Sequence, residues 1–220
     1  WMFGRWMATT GIGPDRSEGV IWICAAMGGI PFLFACLVRE RARTDSADAF
    51  QWSALKAIGR PDALVLLAFG ALYGMIGVGI EFNLSRYYVS LGFDQGDVGS
   101  FGALRYAGRA AGALALPLLK ARLGRRGELS VGVLALAGTI AGQSIAGDAW
   151  VTGAWAFLFG MANGWNDALF CVLAMEASDP RMAASTFAVF MAISNVGVIG
   201  NSIVLEAAHA MGEAFRPVFL

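Results

Sequence analysis

The sequence predicts an all-α fold, a polytopic transmembrane helix bundle of six complete spans plus the start of another. Three observations carry that expectation. First, 57% of the 220 residues are hydrophobic and 15% charged, with a mean hydropathy of +0.61, far from the balance of a soluble domain. Second, uncharged or nearly uncharged runs long enough to cross the roughly 30 Å hydrocarbon core recur along the chain, separated by short polar turns. Third, Lys and Arg alternate in density from one connection to the next, as they do when only one side of a membrane retains positive loops.

The same composition excludes other classes. Sixteen basic and sixteen acidic side chains give a net charge of zero, with no basic stripe interleaved with aromatics, so no nucleic-acid partner is expected. Cys24, Cys36 and Cys171 lie in apolar runs without CxxC or Cys/His spacing, so neither a metal nor a cofactor is expected.

Residues 1–18 mix aromatics with Gly, Pro and charge and read as an extracytoplasmic loop after the end of a lost span. Residues 19–38 form the first complete span, without a charge and almost without a polar face. Residues 39–60 are the longest polar connection; Phe50, Ala54, Ala57 and Ile58 recur there at helical spacing, as in a short surface helix or an ordinary linker. The remainder, 61–220, is a bundle. Its first span covers 61–90, with Pro61 in the first turn, where proline is tolerated. The next covers 97–119, with Pro117 expected to bend it, and 120–127 is a basic loop. Further spans are expected at 128–147, 150–176 and 183–208, and a truncated one begins at 215.

The loops at 39, 120 and 177 together hold ten basic residues against three in the alternate set, so the first set is expected to be cytoplasmic. Depth then decides which intramembrane charges can meet. Arg105 and Arg109 are four residues apart, on one helix face and about 6 Å apart along the axis. An arginine at the bilayer centre costs at least about 2.5–3.5 kcal/mol, so the pair needs partners or water. Glu81 and Arg105 both lie about 12–14 Å from the outer ends of antiparallel spans, which predicts a salt bridge or shared water network. Arg109 and Asn163 fall near the midplane, and Asp167 about one turn deeper toward the cytoplasm. Asn163, Asn166 and Asp167 share one face in GMANGWND, and Asn195 lies on the last complete span. By depth, Asp167 is the acid without a fixed cation. It is therefore expected to take up and release a proton, with Arg109 binding an anionic substrate or alternating with it.

Apolar first and fourth spans, polar second, third, fifth and sixth spans, and a long cytoplasmic connection after the first together resemble the major facilitator superfamily, the chain being similar to its sixth to eleventh helices. KARLGRR resembles the family's cytoplasmic loop signature at Arg122, Gly124, Arg125 and Arg126, and departs from it at Pro117 and Ala121. Residues 175–201 resemble the branch of muropeptide permeases and acetyl-CoA transporters at Ala184, Thr186, Ala188, Met191, Ala192, Asn195 and Gly197.

The resemblance implies a secondary transporter of a small solute by alternating access, coupled to protons, set in the lipid bilayer of a bacterial inner membrane, with an N-terminal half of the same transporter absent from this sequence. It also places Glu81, Asn163, Asn166 and Asp167 along the cavity. Asn163, Asn166 and Asn195 equally suit interhelical hydrogen bonds that hold a bundle together. An intramembrane enzyme such as an acyltransferase would need a nucleophile, or a His and acid within reach of each other. The only histidine, His209, lies at a span end beside Glu206, so an enzyme is not expected. A non-transporting scaffold or receptor would need no polar layer at midplane, and this sequence has one.

Overall fold

The computed structural model describes residues 59–178 and 183–210, all within one unit, Trp52–Leu220. The expectations for 1–18, 19–38, 39–58 and the run from 215 fall outside the described residues. The helices are α1 (Pro61–Ser90), α2 (Gln95–Gln143), α3 (Ala149–Ala177), α4 (Ala183–Ser194) and α5 (Gly197–Ala210).

Helix α1 starts where the sequence predicts, with Pro61 in the first turn and Asp62 beside the positive end of the helix dipole. It ends in a turn through Gly92, whose φ of +89° suits a residue without Cβ. Asp94 then caps α2 by accepting from Asp97 N at 2.8 Å, and Asp148 caps α3 by accepting from Val151 N at 2.9 Å. Both satisfy donors that a helix start leaves free.

The expected loop at 120–127 shrinks to one residue. Helix α2 continues through Pro117 and Leu123, and the only non-helical backbone within it is Gly124, at φ 62° and ψ 170°. Lys, Ala, Arg and Leu favour helix, and Glu176 on α3 pairs with Lys120 at 3.6 Å and with Arg125, so the helix stops only at the residue that tolerates positive φ. Two arms result, 95–123 and 125–143.

The second arm is shorter than the 128–147 span predicted at its far end: Gln143 is its last helical residue. Tyr87 OH donates to Gln143 O at 2.6 Å and Tyr88 OH to Gln143 Oε1 at 3.1 Å. Tyr87 thereby joins Ala146 N, at 3.1 Å, on a carbonyl at the helix end, while Tyr88 holds the Gln143 side chain.

The single span expected at 183–208 is instead two helices separated at Asn195–Val196. Asn195 N, Val196 N and Ile199 N bond three residues back, to Ala192 O, Ile193 O and Val196 O, at 2.9–3.2 Å. Ser194 Oγ also donates to Met191 O at 2.8 Å. The sequence Ser-Asn-Val-Gly supplies the local side-chain bonding and backbone freedom that compete with an α-helical turn.

Among the described residues, three stretches are long and apolar enough to cross a membrane: Pro61–Ser90, Ala149–Ala177 and Thr186–Ala210. The first arm of α2, carrying Arg105 and Arg109, is not one of them, so the described residues do not amount to the expected count of six complete spans.

Packing directions follow from which positions touch. A Cβ at Gly108 would meet Phe157 O and one at Gly112 would meet Met161 O, while Gly160 and Gly164 lie against the backbone of Arg105 and Arg109. Numbers rise together, so the first arm of α2 runs parallel to α3. The second arm runs opposite: Trp165 Nε1 donates to Glu128 O at 3.0 Å, and Gly142 lies against Trp155. Helix α1 is antiparallel to α3, with Gly70 against Phe170 and Gly77 against Asn163. It meets α5 where Gly79 and Gly200 bring the backbones together, beside the bond from Asn83 Nδ2 to Asn201 Oδ1 at 2.9 Å. Apolar clusters close the bundle, one around Tyr87, Tyr88, Phe101 and Phe159 and another around Leu66, Phe170 and Phe190.

Candidate functional site

On α1, Tyr73, Gly77 and Glu81 recur every four residues and therefore form one stripe. Because α1 is antiparallel to α3, that stripe passes Asp167 and then Asn163. Because the first arm of α2 is parallel to α3 and separated from it only by glycines, Arg105 and Arg109 are delivered to the same level. Three helices thus converge on one polar layer.

Its centre is Arg109. Nη1 of Arg109 lies 3.2 Å from Glu81 Oε2, while Nε and Nη2 both lie 2.6 Å from Asp167 Oδ2. Arg105 Nε stands 3.5 Å from Glu81 Oε1, an ion-pair distance without hydrogen-bond geometry, since this buried nitrogen has no hydrogen-bond partner. The Arg105 guanidinium also lies 5.3 Å from the centre of the Tyr106 ring. Tyr73 OH donates to the other Asp167 oxygen, Oδ1, and lies 3.2 Å from Asn163 O. With both acids and both bases ionised the four charges cancel, which is what makes them tolerable in a low-dielectric layer.

Exposure divides the cluster. The Arg105 and Glu81 side chains are 11% and 13% exposed, whereas Arg109 and Asp167 both keep 35%. The first pair is an inner clamp, and the second faces accessible space.

Glu81 and Arg105 are paired as the depth argument predicts. Asp167, expected to lack a fixed cation, instead makes the closest contact of the cluster with Arg109. Counting residues from helix ends set the two a turn or more apart, but a guanidinium on a long flexible stem spans that offset, and its reach is not part of a backbone depth. Asn163 adjoins the cluster through its carbonyl, while its Nδ2 is buried without a partner. Asn166 points elsewhere: its Nδ2 donates to Gly132 O at 2.9 Å and Ala162 O at 2.8 Å, joining α3 to the second arm of α2. Asn195 is exposed at the turn between α4 and α5 and is not part of the cluster. Of the basic loop residues, Arg125 holds Glu176, Gly124 makes the break, and Arg122 and Arg126 are exposed.

Tyr73 escaped the sequence reading, as did the depth of Glu128, whose side chain is buried (2%) at the start of the second arm of α2. The signal for Tyr73 was present in its spacing of eight residues from Glu81, two turns along the same face.

Removing Glu81 leaves Arg105 and Arg109 facing a single acid. Glu81→Gln is therefore expected to destabilise the protein, and Glu81→Gln with Arg105→Gln, which restores neutrality, to recover about 1–2 kcal/mol of the summed single-mutant losses. Denaturation of the four proteins in detergent checks this, and strictly additive losses would mean that the two side chains do not interact.

The model of the Major Facilitator Superfamily matches residues 2–200. The chain belongs to the major facilitator superfamily. No curated protein and no solved structure matches it. Membership makes this an integral membrane protein of a transporter family whose members handle small molecules and are, in general, not enzymes. In a superfamily transporter a balanced four-charge layer within the helices is an arrangement to be explained by transport as well as by stability, because intramembrane charge is costly to retain.

Proposed function

We propose that this superfamily member is a proton-coupled secondary transporter working by alternating access, with Asp167 as the group that takes up and releases the proton. The carrying observation is that Arg109 bridges Glu81 and Asp167, so that protonating Asp167 removes one side of the bridge and unbalances the cluster by one charge. Asp167 is favoured over Glu81 because its side chain is 35% exposed against 13%, which leaves the first carboxylate the more accessible of the two.

In this reading the face of the bundle bearing Arg109 and Asp167 is one wall of a cavity, and a pseudo-symmetric half supplies the facing wall. The basic end at 120–126 is cytoplasmic, in keeping with the positive-inside rule. Likeness to the muropeptide permease and acetyl-CoA transporter branch rests on residues 175–201 alone, and the substrate is not inferred from it.

Asp167→Asn tests the assignment. In proteoliposomes the variant is expected to lose accumulation of solute driven by a proton gradient while retaining exchange of solute between equal concentrations. Accumulation at the wild-type level would remove Asp167 from the coupling step.

A further inference from the structure

The Arg109 guanidinium presents its Nε/Nη2 edge, the edge that matches a carboxylate in a two-point contact, to one oxygen of Asp167, while Tyr73 OH holds the other oxygen. Asp167 thus occupies a seat for a carboxylate. The seat is made of a guanidinium fork, a phenolic donor on a buried tyrosine (7% exposed), and a side exposed enough for a solute to reach. The guanidinium stays anchored at its far nitrogen by Glu81 at 3.2 Å, so it keeps its place when Asp167 lets go.

We propose that the transported solute carries a carboxylate-sized anionic group, and that this group takes the place of Asp167 on Arg109 and Tyr73. The proposal rests on the reading of Asp167 as the proton site and adds the chemical class of the substrate. The charge balance closes: a proton from solvent forms the O–H of the Asp167 carboxyl, its ion pair with Arg109 breaks, and the layer changes from neutral to one positive charge. A monoanion then restores neutrality. Binding of the anion and of the proton therefore favour each other, which is the coupling a symporter needs. A neutral solute would leave Arg109 half paired, and a cation would add to an existing excess. Among the described residues Asp167 is bonded to Tyr73 from α1 and Arg109 from α2, has Cys171 one turn along α3, and is joined through Arg109 to Glu81 and Arg105; Arg109 is the positive group in direct contact with it.

Acetate, with acetamide as its neutral isostere, probes the seat without knowledge of the natural solute. In the purified full chain in detergent, Asp167→Ala empties the seat and leaves the Glu81 anchor. Acetate should raise its unfolding temperature saturably, by about 3–6 °C at ten times the half-saturating concentration, and acetamide should not. Adding Tyr73→Phe should raise the half-saturating concentration roughly ten- to a hundredfold, the worth of one hydrogen bond to a charged group. Adding Arg109→Lys, which keeps the charge but loses the fork, should weaken binding more. In the wild-type protein the acetate effect should grow as pH falls.

No acetate effect in Asp167→Ala, an equal effect of acetamide, or an effect unchanged by both the Tyr73 and Arg109 substitutions would overturn the proposal. Acetate binding in Asp167→Ala without any pH dependence in the wild type would uphold the anion seat and instead remove the proton role of Asp167.

Discussion

Arg109→Gln is expected to be the most damaging single side-chain change in the polar layer. It leaves Glu81 with Arg105 alone, at 3.5 Å and without a hydrogen bond, and leaves Asp167 with only a tyrosine hydroxyl. Breaking a fully buried ion pair from one side costs about 3–5 kcal/mol; since Arg109 and Asp167 are each 35% exposed, solvent relieves part of this and the lower end applies. The cost should fall when Asp167→Asn is added, because the double variant removes one charge of each sign. Adding Glu81→Gln should help in the same way, and both recoveries are readable as shifts in detergent denaturation. If Arg109→Gln unfolds no more readily than wild type, the bridge is not holding the three helices at one level. Transport should be lost in the single and double variants alike, since neither retains the guanidinium fork, and that separates the stabilising role of the residue from its proposed role in the cycle.

The second large effect is expected where the backbones of α2 and α3 touch. A methyl at Gly164 would run into the backbone of Arg109, and one at Gly112 into that of Met161. Backbone cannot rotate aside as a side chain can, so Gly164→Ala must push the two helices apart. Overpacking typically costs about 1–3 kcal/mol, and a seam of backbone contacts with no soft atom in it belongs at the upper end. Geometry is the more specific consequence. Gly164 is one turn before Asp167, so separation there lengthens the reach from Arg109 to Asp167, and transport should fall further than the stability loss alone explains. Gly138 is the control, with nothing within 4 Å of where its Cβ would be. Gly138→Ala in the same bundle should be neutral or stabilise by about 0.4–1 kcal/mol through the unfolded chain. Equal damage from the two alanines would show that backbone contact is not what makes Gly164 necessary.

The tight seam also explains why the charge cluster can be exact while its exposed side stays open. Close approach at Gly108, Gly112, Gly160 and Gly164 fixes the α2 and α3 backbones relative to each other. Helix α1 is fixed in turn by Gly79 against Gly200 and by Asn83 with Asn201. The two sets meet through Glu81, Arg105, Arg109, Tyr73 and Asp167, so a change of charge at Asp167 falls where these packed sets join.

What the sequence determined by itself is what depends on neighbours along the chain. Hydropathy and the first-turn proline suggested a span from Pro61 to about residue 90, where the helix is Pro61–Ser90, and the span expected at 150–176 differs from Ala149–Ala177 by one residue at each end. A membrane solvent rewards every apolar residue of a span independently, so a running sum suffices. The pairing of Glu81 with Arg105 was also legible, because equal depth on consecutive antiparallel helices is nearly a one-dimensional argument. Tertiary structure decided the lateral arrangement, which depends on how each helix is rotated and how closely it is approached. Asn166 and Asp167 are adjacent in sequence, yet one ties α3 to the second arm of α2 and the other meets Arg109 from the first. Whether Arg109 reaches Asp167 depends on glycines that bring α2 within backbone contact of α3, and on a side chain long enough to cross a turn. Gly124 in place of a loop, and the break at Asn195–Val196 in place of a straight span, were settled by competition: helix propensity backed by ion pairs at one, side-chain bonding to the local backbone at the other. Such balances involve about a kcal/mol of local free energy, small enough for contacts between helices to tip.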